Sequence, residues 1–175
     1  MKESEREPNR PDYHTFQGRG TDFESKRMRR GGGTKEVFFP CLGSLLSGVF
    51  LGIGEGFGGG LMQSSGDTAV LLFNIPYDFS AIVTARLLVV PIATQAAANW
   101  DINAIYGSVS EHFDVHNVAD TATTYNVTDS HLYSVDAATI LVSIVAGDVG
   151  KIVFTLSNSA HDVALLGLAL KYTVA

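Results

Sequence analysis

The chain has 175 residues, of which 46% are hydrophobic and only 17% charged, with a net charge of −6 at neutral pH. That length suits one ordinary domain, and the shortage of charge excludes a mainly disordered chain, a coiled coil and a highly charged nucleic-acid binder. The single cysteine, Cys41, excludes an internal disulfide framework and a cysteine-based zinc site.

Residues 1–34 hold eight of the twelve Lys/Arg and six of the eighteen Asp/Glu, a balance of +2. Residues 35–175 hold the other four and twelve, a balance of −8. The tail is polar and poor in aliphatic residues, so it is expected to be a flexible arm. Its basic charge is densest at Lys26, Arg27, Arg29 and Arg30, the expected tail contacts. With so small a net charge, any hold on nucleic acid or an anionic surface is expected to be weak and salt-dependent. Ordering on a neighbouring subunit is the favoured role.

Residues 35–66 form the second zone. TKEVFFP, from Thr34 to Pro40, reads as a first strand. An apolar, glycine-rich insert follows. Val37 to Gly54 is eighteen residues without a charge, the lower bound for a membrane-spanning helix. Pro40 and the glycines at 43, 48, 52 and 54 weaken such a helix, so a loop buried between subunits is favoured over a membrane segment. A cleaved leader fits worse, because about 36 residues would precede its apolar core. The expected interface residues are Phe38, Phe39, Leu45 and Leu46, then Phe50, Leu51 and Ile53, and finally Phe57, Leu61 and Met62. Gly52 to Gly60 is no phosphate loop, since the Gly-Lys-Ser/Thr ending is missing.

Residues 67–175 read as a train of short β-rich runs, the body of the fold. The expected strands are Thr68–Ile75, Ile82–Ile92, Asn99–Tyr106, Thr121–Thr128, His131–Val135, Gly150–Leu156 and Val163–Val174. In Asn99–Tyr106, Trp100, Ile102 and Ala104 fall on one side and Asp101 and Asn103 on the other. Ala137–Ala146 also fits a short helix closed by Gly147-Asp148. In the last strand, Leu166, Leu168, Leu170 and Tyr172 share a face at period two. Gly167 marks a bulge or a close contact. The expected fold is an all-β, antiparallel jelly-roll-like sandwich of about eight strands with little helix.

The segments TKEVFFP, NIPYDFSAIVTARLLVVPIA, NWDINAIYGSVSEHFDVHN, VAGDVGKIVFTLSN and VALLGLALKYT resemble a group of uncharacterised jelly-roll β-sandwich proteins of phage and environmental viral or microbial-surface type. The resemblance covers roughly residues 34–175. It implies a non-enzymatic structural protein on a virion or an extracellular surface, built as a symmetric oligomer. Other virion proteins would then be further partners.

Candidate chemistry is sparse. His112, Asp114 and His116 would share one face if extended and would offer three metal ligands. A polar, solvent-facing strand is the favoured reading of that string, and no metal or other cofactor is expected. The aspartates at 101, 120, 129, 136, 148 and 162 suit turns, and no spaced calcium loop is present. His131 and His161 read as surface residues. Asn126-Val127-Thr128 matches a glycosylation acceptor. Gly-x-Ser-x-Gly and His-Glu-x-x-His are both absent. Trp100, Tyr106 and Tyr125 are candidates for a sugar-stacking platform. The leading expectation is therefore a self-associating structural subunit, a trimer or a larger lattice. The alternative is a carbohydrate- or receptor-binding sandwich module.

Overall fold

A computed structural model describes residues 32–41, 50–53, 57–158 and 162–175. Among these described residues the sequence forms ten strands: β1 (Thr34–Pro40), β2 (Phe50–Ile53), β3 (Phe57–Met62), β4 (Thr68–Asn74), β5 (Phe79–Pro91), β6 (Gln95–Gly107), β7 (His116–Val127), β8 (Tyr133–Asp136), β9 (Val149–Leu156) and β10 (Val163–Val174). All pairings are antiparallel. One sheet runs β2-β3-β10-β5-β8, with β1 also on β10, and the other runs β4-β9-β6-β7. The protein is an all-β sandwich. Among the described residues, no helix is long and apolar enough to cross a membrane.

The core lies between the sheets because each strand turns alternate residues inward. On β6 these are Ala98, Trp100, Ile102, Ala104 and Tyr106, and on β9 they are Ile152, Phe154 and Leu156. Leu71 and Phe73 of β4 complete that side, and Leu87 and Val89 of β5 face them from the other sheet. The rings interlock: Trp100 lies 5.6 Å from Phe154, and Phe73 lies 6.3 Å from both Tyr106 and Phe39. Such tilted and edge-on contacts add to plain apolar burial.

Strand β10 organises its sheet. β5 runs along one edge over nearly the whole length, while β3 and β1 share the other. The register slips between Leu165 and Gly167, a β-bulge. A bulge adds one residue and reverses which face follows. Val163, Leu165, Leu168, Leu170 and Tyr172 therefore point into the core, and Leu166 does not join them. The strict period-two set expected from sequence is corrected at that one position. Gly167 lies at this bulge and at a close contact, since a Cβ there would sit 2.6 Å from the Phe38 ring and against the Phe39 carbonyl.

Three further expectations change. The insert was expected to be a loop, yet residues 50–53 and 57–62 form a hairpin that extends the sheet. Glycine is a poor strand former on its own. Here the missing Cβ admits the chain, because a Cβ on Gly59 would lie 2.8 Å from the Leu165 carbonyl oxygen. Ala137–Ala146 holds only a single 3-10 turn, Thr139–Leu141, with Ile140 and Leu141 buried. β7 starts at His116 rather than Thr121, because pairing with β6 carries its polar first half. The proposed arm, residues 1–34, lies almost wholly outside the described residues.

Candidate functional site

The string His112 to His116 is not one extended segment. Residues 108–115 form a turn-rich connection, and β7 begins only at His116. His112 Nδ1 and Asp114 Oδ1 pair with each other at the surface. His116 instead stacks on Tyr106, with ring centroids 4.9 Å apart. The period-two geometry that would align three ligands is thus absent. Among the described residues, no group of three His, Cys, Asp or Glu side chains is arranged to hold a metal ion.

The expected aromatic platform is also corrected. Trp100 and Tyr106 are buried in the core, where no sugar can stack on them. Tyr125 is half-buried and lies against Trp100, 4.6 Å between centroids. The alternation of β6 that revealed the strand also turns both aromatic side chains inward. Burial raises the Tyr125 hydroxyl above the usual tyrosine range, helped by the negative charges of Asp120 and Asp136. Burial likewise raises Tyr106, opposed by the Ser143 N–H donating to its oxygen at 3.3 Å.

The expected interface set divides. Leu61 and Met62 are buried within this chain, and Met62 belongs to its core. Met62 faces the core between the sheets, whereas its neighbour Leu61, on the opposite face of β3, is buried outside that core. Phe39 is half-buried against Phe73, while Phe38 is half-exposed on β1. Phe50, Leu51, Ile53 and Phe57 lie in the hairpin strands. Leu45, Leu46 and the tail residues Lys26, Arg27, Arg29 and Arg30 lie outside the described residues, as does His161.

A different site emerges on the outer face of β5 and β8. Inward residues Ala85 and Leu87 of β5 and Val135 of β8 leave their neighbours facing out. Val83, Thr84, Arg86, Ser134, Asp136 and Ala138 line a cleft of about 340 Å³. Arg86 and Asp136 are direct cross-strand partners. Asp136 Oδ1 accepts the Ala138 N–H at 2.9 Å, which holds the carboxylate in place. No ion pair within 4.0 Å engages Arg86 among the described residues. The cleft thus presents a guanidinium fork, a carboxylate oxygen and two hydroxyls. Among the described residues that line it there is one carboxylate and no histidine or cysteine. Sequence reading missed it because its residues come from two strands about fifty positions apart, and no local motif joins them.

No family model matches the chain, and no curated protein does. Solved structures with a similar fold include the CBM36-1 domain of a multidomain xylanase from the hindgut metagenome of Trinervitermes trinervoides, at 13% identity and a TM-score of 0.44, covering 78% of this chain and 96% of that one. A CBM35 from Cellvibrio japonicus Abf62 is 13% identical with a TM-score of 0.38, covering 79% and 92%. A carbohydrate-binding module CBM36 in complex with calcium and xylotriose is 14% identical with a TM-score of 0.32, covering 77% and 97%. None of the three is described as a phage or virion protein. With scores this low, the matches say nothing about what this chain binds.

Proposed function

We propose that the chain is a non-catalytic β-sandwich binding module whose β5–β8 cleft takes a polyhydroxylated ligand, a carbohydrate, in an extracellular or surface setting. The observation that carries this reading is the cleft itself. Arg86, Asp136, Thr84 and Ser134 line it together on the outer face of one sheet. A sugar offers hydroxyls that both donate and accept, and this set supplies both kinds of partner within one recess. Two paired strands hold it, and strand-borne sites keep their geometry better than loop-borne ones.

The test is calorimetry of the full chain against soluble neutral and acidic polysaccharides. Binding is expected for at least one, and Arg86→Ala and Asp136→Ala should each weaken it at least ~10-fold, as loss of a central polar contact does. Failure to bind any of the glycans, or binding untouched by both variants, overturns the reading. A self-associating structural role is the second reading, favoured by the large apolar side chains exposed at one end of the sandwich.

A further inference from the structure

Three loops meet at one end of the sandwich: residues 75–78, 108–115 and 142–148. Asp148 ties them together. It is the one polar or charged side chain buried among the described residues, 1% exposed. Its Oδ1 accepts the Ser108 hydroxyl at 2.6 Å and its Oδ2 accepts the Val145 N–H at 2.8 Å. Its backbone carbonyl accepts the Ile75 N–H at 2.8 Å. Gly147, at φ +84, returns a bond by donating to the Ile75 carbonyl, and the Tyr77 ring lies against it. A carboxylate bonded this way makes the three loops one firm surface.

That surface is apolar. Tyr77 is 84% exposed, Val109 80%, Phe113 71% and Val142 73%, while Val115 and Val145 are about half exposed. Val115 packs beside Gly107, whose cross-strand partner is Val149, another exposed valine. Exposed apolar groups from all three loops and from the start of β9 therefore lie at this one end. Seven large apolar side chains thus stand exposed at this end, and burying them would supply much of the ~800 Å² that each partner contributes to a standard interface. Apolar groups gathered this way on a lone chain mark interaction sites.

Charge narrows the partner. The three loops contain no Lys or Arg, so they offer nothing to nucleic acid or an anionic membrane. Their carboxylates are already engaged within the chain. Glu111 accepts the Ser108 N–H at 2.8 Å, Asp114 pairs with His112, and Asp78 pairs with Lys35. A partner here needs matching apolar area and no compensating charge. A second copy of the same end meets both requirements, and a two-fold arrangement buries the patch in both copies.

We infer that this loop end is the surface through which two copies of the chain associate. The inference goes beyond the cleft on β5 and β8, and the two stand or fall separately. Sedimentation of the full chain from ~1 to ~100 µM tests it, since a standard interface holds at such concentrations. A dimer is expected. The double variant Val109→Asp, Val142→Asp places charge on two exposed positions and should weaken association at least ~100-fold with an unchanged circular dichroism spectrum. Phe113→Ser is the milder second variant and should weaken it at least ~10-fold. Phe38→Ser, on β1, should change nothing. A monomer at ~100 µM overturns the proposal. So does association that survives the loop variants, loss of the dimer in Phe38→Ser, or a monomer that phosphatidylcholine vesicles capture through these loops.

Discussion

Single positions matter here where two backbones or a backbone and a ring come close. Gly167 is one. The β10 bulge presses its Cα against the Phe39 carbonyl and the Phe38 ring, leaving no room for a Cβ. Both neighbours belong to β1, so relief requires that strand to move away from β10. Gly167→Ala is expected to lower stability by about 2 kcal/mol, the usual scale of overpacking. Urea denaturation would read this as a lower midpoint at unchanged slope. A neutral outcome would mean that β1 is held loosely. Asp148 works in the opposite sense, since its bonds to Ser108 and Val145 answer the cost of burying a carboxylate.

Among the elements, β1 depends on what holds its two ends. At one end Phe39 packs on Phe73. At the other, Lys35 pairs with Asp78 in the turn before β5, and the Tyr172 hydroxyl of β10 donates to the same carboxylate at 3.1 Å. The hydrogen bond from Lys35 is the main reason Asp78 sits below the usual carboxylate range, with desolvation opposing it and Tyr172 assisting. A depressed folded value means that the folded state holds its proton less readily than the unfolded chain. The stabilisation is therefore complete above the unfolded value, about pH 4, and is lost as pH falls through the folded one. Thermal melts of the wild type and Asp78→Asn should differ at pH 6 and converge as pH falls through the depressed folded value. High salt should shrink the difference at pH 6, because the pair is exposed. A gap that persists at low pH would assign the effect to packing.

At the scale of the whole molecule, recognition and core are kept apart. Trp100, the chain's one tryptophan, lies between the sheets against Tyr125 and Phe154. The cleft lies on the outer face of one sheet, and the loop patch at one end. Trp100 emission should then be blue-shifted, resist quenching by iodide, and shift red only on global unfolding. Saturating the chain with a bound polysaccharide should leave it unchanged. A ligand that quenches Trp100 directly would place the binding surface elsewhere. Within the body, four basic residues face twelve acidic ones, so Arg86 is a scarce cation for its surface.

The sequence by itself determined the class of fold and most strand positions. Alternation along Asn99–Tyr106 and Gly150–Leu156 is a local property, and burying one face of a strand requires it. It also marked Gly167, since a glycine inside a strand pattern signals close approach. Three things needed the tertiary structure. The β2–β3 hairpin has a composition that argues against strands, and its place beside β10 rests on a close approach at Gly59 that no side chain would allow. The face taken by Leu166 was set by the bulge, because one extra residue reverses every parity count beyond it. The cleft and the loop end were decided by topology, which brings Arg86 beside Asp136 and, through the bonds of Asp148 and Gly147, joins residues 75–78, 108–115 and 142–148, segments about thirty positions apart in the chain.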